Sequence, residues 1–172
     1  LISRINLETK GLEQVKQAQD HPELALQNLL KYYQSRTSVK HRVDPDRKAD
    51  ELGKSATSRE LRTAENALKH IFVGQSAYPP YFCGDDIDWG TRPVPDNEWV
   101  WQLNRMYFWD SMAAAYWHTG DEKYAEEWCK QLVSWTVKNP NDNDHKYAWR
   151  SIEASIRGTR LTALFQYFLK SP

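Results

Sequence analysis

Residues 98–138 read EWVWQLNRMYFWDSMAAAYWHTGDEKYAEEWCKQLVSWTVK. Asp96 or Asn97 can cap a helix just before this stretch. Its apolar positions, Trp101, Phe108 and Met112 among them, continue to about Trp117. They cover nearly every side, so this helix is expected to be buried. In HTGDEKY, Gly120 ends one helix and Asp121 caps the next. That next helix runs to about Lys138, with Ala125, Trp128, Leu132 and Trp135 inward. Long helices joined by so short a turn form an antiparallel hairpin.

The flanks extend the pattern. Leu7 to Leu30 reads as helix, with Leu12, Val15, Ala18, Leu24, Leu26, Leu29 and Leu30 at helical spacing. Pro22 suits the first turn of a second helix there, with Asp20 or His21 near its cap. Residues 35–62 are polar and basic: Arg36, Lys40, Arg42, Arg47, Lys48, Lys54, Arg59 and Arg62 stand against five acids. A solvated or mobile loop is the plainer reading, an anion-binding loop the sharper one. Thr57 or Ser58 caps a short helix to about His70. Residues 71–97 hold most of the Gly and Pro, which no helix survives, together with Phe72, Tyr78, Tyr81, Phe82 and Trp89. They are expected to form a long ordered loop. A last helix is expected from Ala148 to Lys170, with Ile152, Ile156, Leu161, Leu164 and Phe168 inward. No segment alternates over a strand's length. The fold class is all-α, an array of antiparallel hairpins filling one domain over residues 1–172.

Composition narrows the function. Formal net charge is zero, which excludes a globally basic nucleic-acid binder. No apolar run approaches the roughly 20 residues that span a bilayer. Eight Trp, nine Tyr and five Phe imply either a tryptophan-rich core or a surface on which rings stack against sugar C–H faces. Cys83 and Cys129 form no metal or redox motif. HExxH, GxGxxG, P-loop and GxSxG patterns are missing, so neither metal nor cofactor is expected. The five histidines are scattered and read as surface or capping residues. What remains is a polar set among aromatics. Trp101, Asn104, Arg105 and Phe108 share one broad helix face, and Trp149, Glu153 and Arg157 recur every four residues. Glu153 and Arg157 can be a helix-surface ion pair, and Asn104 and Arg105 a tie between loop and helix. On buried helices they would need partners or a ligand, and an arginine beside an amide suits a carboxylate or sulfate.

DIDWG at 86–90, EWVWQLNRMYFW at 98–109, HTGDEKYAEEW at 118–128 and AWRSIEASIRGTR at 148–160 resemble the amino-terminal domain of heparinase II/III-type polysaccharide lyases. Over residues 70–170 the resemblance is good, and over the first 60 it is loose. It implies the first part of an incomplete (α/α) toroid, continued by further helices and a β-sandwich domain. It also implies cleavage of heparan sulfate or heparin by β-elimination beside a uronic acid, with an acidic polysaccharide as partner and no cofactor. Such chemistry needs stabilisation of the carboxylate as its C5 proton leaves, a base, and an acid for the departing oxygen. In the family the Asn, Tyr and His for these tasks come later, and NDNDH at 141–145 is not their motif. No catalytic residue is therefore assigned to this chain. The resemblance implies cleft-lining roles for Asn104, Arg105, Trp149, Glu153 and Arg157, with Trp101 beside them and Asp88 and Trp89 in the preceding loop.

From a first residue of Leu and an apolar ending, FQYFLKSP, the expectation is a processed or excised chain whose polypeptide continues. The expectation is a periplasmic or secreted protein with its signal peptide removed. Two other readings stay open: a non-catalytic carbohydrate-binding helical module, and a lyase of alginate or chondroitin.

Overall fold

The structure, a computed structural model, describes residues 2–37, 41–48 and 56–172. Lys40 and Lys54 of the basic segment lie outside the described residues. The chain divides into two compact units, Leu1–Asp44 and Pro45–Pro172.

In the first unit, a 3-10 turn at Ile2–Arg4 precedes α1 (Glu13–Gln17) and α2 (Pro22–Ser35). Pro22 occupies the first turn of α2, behind His21. Leu12, Val15, Ala18, Ala25 and Leu29 form a small core, with Ile5, Leu7 and Tyr32 packed against it. The helix expected from Leu7 starts only at Glu13, because residues before it close turns around Gly11. Leu24, Leu26 and Leu30 remain exposed. Only Ala25 and Leu29, one turn apart, hold the buried line.

The second unit opens with a 3-10 turn at Pro45–Arg47, followed after residue 55 by α3 (Ser58–Ala67). Thr57 and Glu60 close a capping box, each side chain bonding the other's backbone N–H. Past α3 the chain turns through His70 at φ 55°. The His70 ring bridges Gly84 O at 2.9 Å and Glu127 Oε1 at 3.0 Å, so it ties loop to helix rather than sitting on the surface. A short antiparallel ladder follows, which no alternation announced. It joins β1 (Ile71–Phe72) to β2 (Tyr81–Phe82), with Ile71 opposite Phe82. The 71–97 loop is ordered and buries Phe72, Cys83, Ile87 and Trp89. Gly74 permits its close approach: a Cβ there would lie 2.4 Å from the Trp99 ring.

The single helix expected from Asn97 to Trp117 is two. Asp96 caps α4 (Asn97–Leu103), and α5 (Tyr107–Thr119) begins after Met106, a buried residue at φ 58°. Gly120, at φ 72°, ends α5 as expected, and Asp121 Oδ1 accepts the Lys123 N–H at the start of α6 (Lys123–Lys138). α5 is central, with α3, α6 and the last helix packed on it. The final helix is also divided, into α7 (Lys146–Trp149) and α8 (Ser151–Phe168), at an extended Arg150. Leu164 and Phe168 are inward, but Ile152 is exposed and Ile156 and Leu161 are half-buried. In the first turns of α8 it is Glu153 and Arg157 that face inward.

The tryptophans account for most of the aromatic surplus. Rings of Phe72, Phe108, Trp89, Trp109, Trp128 and Phe168 touch in succession from loop to last helix. Six of the eight Trp are buried, and Trp101 and Trp149 are half-buried. Cys83 and Cys129 are free thiols, and burial pushes Cys83 up to about 12. No described helix is long and apolar enough to cross a membrane.

Candidate functional site

The two helix breaks face each other chemically. At the α4–α5 break the Asn104 carbonyl loses its helical donor, and Arg157 Nη1 of α8 supplies one at 2.8 Å. The Asn104 side chain is fully buried and fully used. Its Nδ2 donates to Val100 O and Trp89 O, both at 2.9 Å, and its Oδ1 accepts from Trp135 Nε1 at 2.9 Å. An amide bonding the carbonyl one turn back competes with the helix ladder, which suits a helix end. Asn104 thus joins loop, break and α6.

Arg105 sits between two carboxylates. Nε and Nη2 donate to Glu153 Oε1 at 3.2 and 2.8 Å, and Nη1 donates to Glu98 Oε1 at 2.6 Å. Burial works against this charge, but the hydrogen bonds to Glu153 and Glu98 outweigh it and hold the guanidinium above its ordinary value. Glu153 is wholly buried, and the Arg150 Nε lies 3.6 Å from its Oε2. Of the two readings open for Glu153 and Arg157, the surface pair does not form, and Glu153 takes Arg105 as its cross-helix partner. Arg157 instead lies 4.3 Å from the Trp135 ring centre and 5.2 Å from that of Trp149. Burial pulls it down to about 10, against Glu153, so it stays a cation at neutral pH.

Trp149 forms the edge of this cluster. Its Nε1 donates to Asn139 O at 2.9 Å, and its ring packs on Trp135 with centres 5.5 Å apart. Trp101 carries the Arg150 guanidinium 3.5 Å over its ring. Six predicted residues therefore form one group: Trp101, Asn104, Arg105, Trp149, Glu153 and Arg157. Trp89 joins it through its backbone oxygen, while its buried ring donates to Ser134 Oγ at 3.2 Å. Asp88 is exposed, and its Oδ1 accepts the Gly90 N–H. Sequence reasoning missed Glu98, Trp135, Asn139 and Arg150. Glu98 stands two helical turns before Arg105 and Arg150 three residues before Glu153, a spacing that signals such partners once Glu153 is placed inside. Among the described residues no group of three His, Cys, Asp or Glu is placed to hold a metal ion.

The chain as a whole is similar to known proteins. The family model for the heparinase II/III N-terminus matches residues 1–172. A heparin-sulfate lyase of Bacteroides stercoris is 40% identical, aligned over 100% of this chain and 28% of its own length. That of Pedobacter heparinus is 38% identical over 98% of this chain and 26% of its own. The crystal structure of the Pedobacter heparinus heparan sulfate lyase superposes with a TM-score of 0.84 at 35% identity, covering 99% of this chain and 28% of that one. A heparinase III structure superposes at 0.83 with 38% identity, covering 99% and 29%. The chain thus spans less than a third of the length of these relatives. It belongs to the heparinase II/III family, whose amino-terminal domain it matches from end to end.

Proposed function

We propose that this chain is the first part of an (α/α) toroid in a polysaccharide lyase that cleaves heparan sulfate or heparin by β-elimination, in the periplasm or outside the cell. The observation that supports the reading is the match of 99% of this chain to 28% of a heparan sulfate lyase, at a TM-score of 0.84 and 35% identity. In β-elimination a base takes the uronate C5 proton, the C4–O bond breaks, and the departing oxygen gains a proton. None of these steps is assigned to a residue here. The part given to this chain is to hold the sugar.

Exposure divides the labour among the candidate residues. Trp149, Trp101 and Asp88 have surface to offer a sugar, and Arg105 is nearly enclosed. Asn104, Glu153, Arg157 and the Trp89 ring are buried and brace that surface from behind. A buried cation between carboxylates keeps a fixed position without substrate, so little order is lost when a sugar binds.

Retention on immobilised heparin tests this reading. The intact chain is expected to be retained, and Trp149→Ala to elute at distinctly lower salt while still melting cooperatively. Equal retention of the variant would remove Trp149 from the surface, and no retention of the parent chain would remove the polysaccharide.

A further inference from the structure

A hollow of about 570 Å³ lies where the 140–145 loop meets α7, within the roughly 300–1,000 Å³ range of small-molecule sites. Asn141, Asp142, Asn143, Lys146, Trp149 and Arg150 line it. Its floor is rigid: Trp149 is held by the Asn139 carbonyl and by Trp135, and Arg150 by the Trp101 ring.

Its cations have capacity to spare. Arg105 gives two hydrogen bonds to Glu153 Oε1, and Arg150 Nε stands 3.6 Å from Oε2, too far for a hydrogen bond, so Arg150 is paired with this carboxylate by charge alone. The Arg150 Nη1 is buried with no acceptor, although a guanidinium can only donate. Lys146, one turn earlier, is exposed and makes no ion pair among the described residues. The single acid in the lining, Asp142, is already engaged. Its Oδ1 accepts the Asp144 and His145 N–H groups at 2.9 and 3.1 Å and faces His145 Nδ1 at 2.7 Å.

We propose that this hollow is a subsite for one anionic sugar of the polysaccharide. Lys146 and Arg150 take its carboxylate or sulfate, the Trp149 ring carries its C–H face, and the Asn141 and Asn143 amides reach its hydroxyls. The proposal rests on the polysaccharide reading above and adds four side chains to it. Charge-assisted hydrogen bonds between two cations and one anionic group separate an acidic sugar from a neutral one.

The test is calorimetric titration of the intact chain with heparan sulfate oligosaccharides. Lys146→Met is expected to weaken binding about five- to tenfold, the size of one solvent-exposed hydrogen bond, and Lys146→Glu to weaken it more. Lys31→Met, which removes a charge from the other unit, is expected to change nothing. Lys146 is exposed, so neither substitution threatens the fold. Two further ligands separate the sources of charge. A loss on unsulfated heparosan assigns the pair to the uronate carboxylate, and a loss confined to carboxyl-reduced heparin assigns it to sulfate; either supports the subsite. Parent-like affinity of both Lys146 variants would overturn the subsite while leaving the polysaccharide reading standing. No binding by the parent chain would overturn both.

Discussion

Glu153→Ala is expected to lower the unfolding free energy of the Pro45–Pro172 unit by about 3–5 kcal/mol, the range for breaking a buried ion pair from one side. The cost comes less from the lost attraction than from what is left behind. Without the Glu153 carboxylate, Arg105 Nε and Nη2 lose their acceptor, and Arg150 loses its nearest anion. Arg157, already pulled down by burial, loses the one charge that opposes that pull. Glu153→Gln keeps the shape and one acceptor oxygen, so it is expected to lie between Ala and the parent. Ile152→Ala, on the exposed neighbour, is expected to cost under about 1 kcal/mol. Urea-unfolding midpoints read all three. A Glu153→Ala cost no larger than that of Ile152→Ala would mean that the carboxylate does not hold this cluster together.

The second large effect belongs to the core. Trp109→Ala is expected to cost about 3–5 kcal/mol. Trp109 is 1% exposed and meets the edges or faces of Trp89, Phe108 and Trp128 at centre distances of 6.0 to 6.5 Å. Its Nε1 also donates to Gln131 Oε1 at 2.9 Å, while Gln131 Nε2 donates to the Ala67 carbonyl at the end of α3. One indole thus fixes an amide that links α6 to α3, and its loss leaves both a cavity and a buried acceptor unpaired. Trp109→Phe keeps most of the volume and is expected to cost less. Thermal unfolding separates this residue from Trp149, half-buried at the cluster's edge, whose loss is expected to reduce heparin retention with a smaller drop in melting temperature. A similar melting loss in both variants would contradict the division of tryptophans into core and surface.

How far the sequence could be read depends on whether the deciding partner was near in the chain. The Gly120 turn and the Thr57 and Asp96 caps follow from residues within a turn or two, as does the burial of α5, although Tyr107 and Asp110 leave one side of that helix exposed. The two helix breaks do not. The α4–α5 break is satisfied by Arg157, 53 residues away, and the Arg150 break stacks its guanidinium on Trp101. Ile152 was expected inside because apolar side chains usually win burial. Here Arg105 satisfies a buried carboxylate, so Glu153 takes that place. The β1–β2 ladder is too short to alternate. The grouping of Asn104, Arg105, Trp149, Glu153 and Arg157 was legible only as a resemblance. Spacing left open whether they tied a helix or faced a ligand, and their geometry gives several of them bracing contacts.

The central claim is that this domain holds the polysaccharide and does not break it. The direct measurement is ultraviolet absorbance of unsaturated uronate when heparan sulfate is incubated with the intact chain, after a cooperative melt has established that it is folded. The account predicts no rise above the enzyme-free control. A steady, enzyme-proportional rise would place the base and acid among these 172 residues and contradict it.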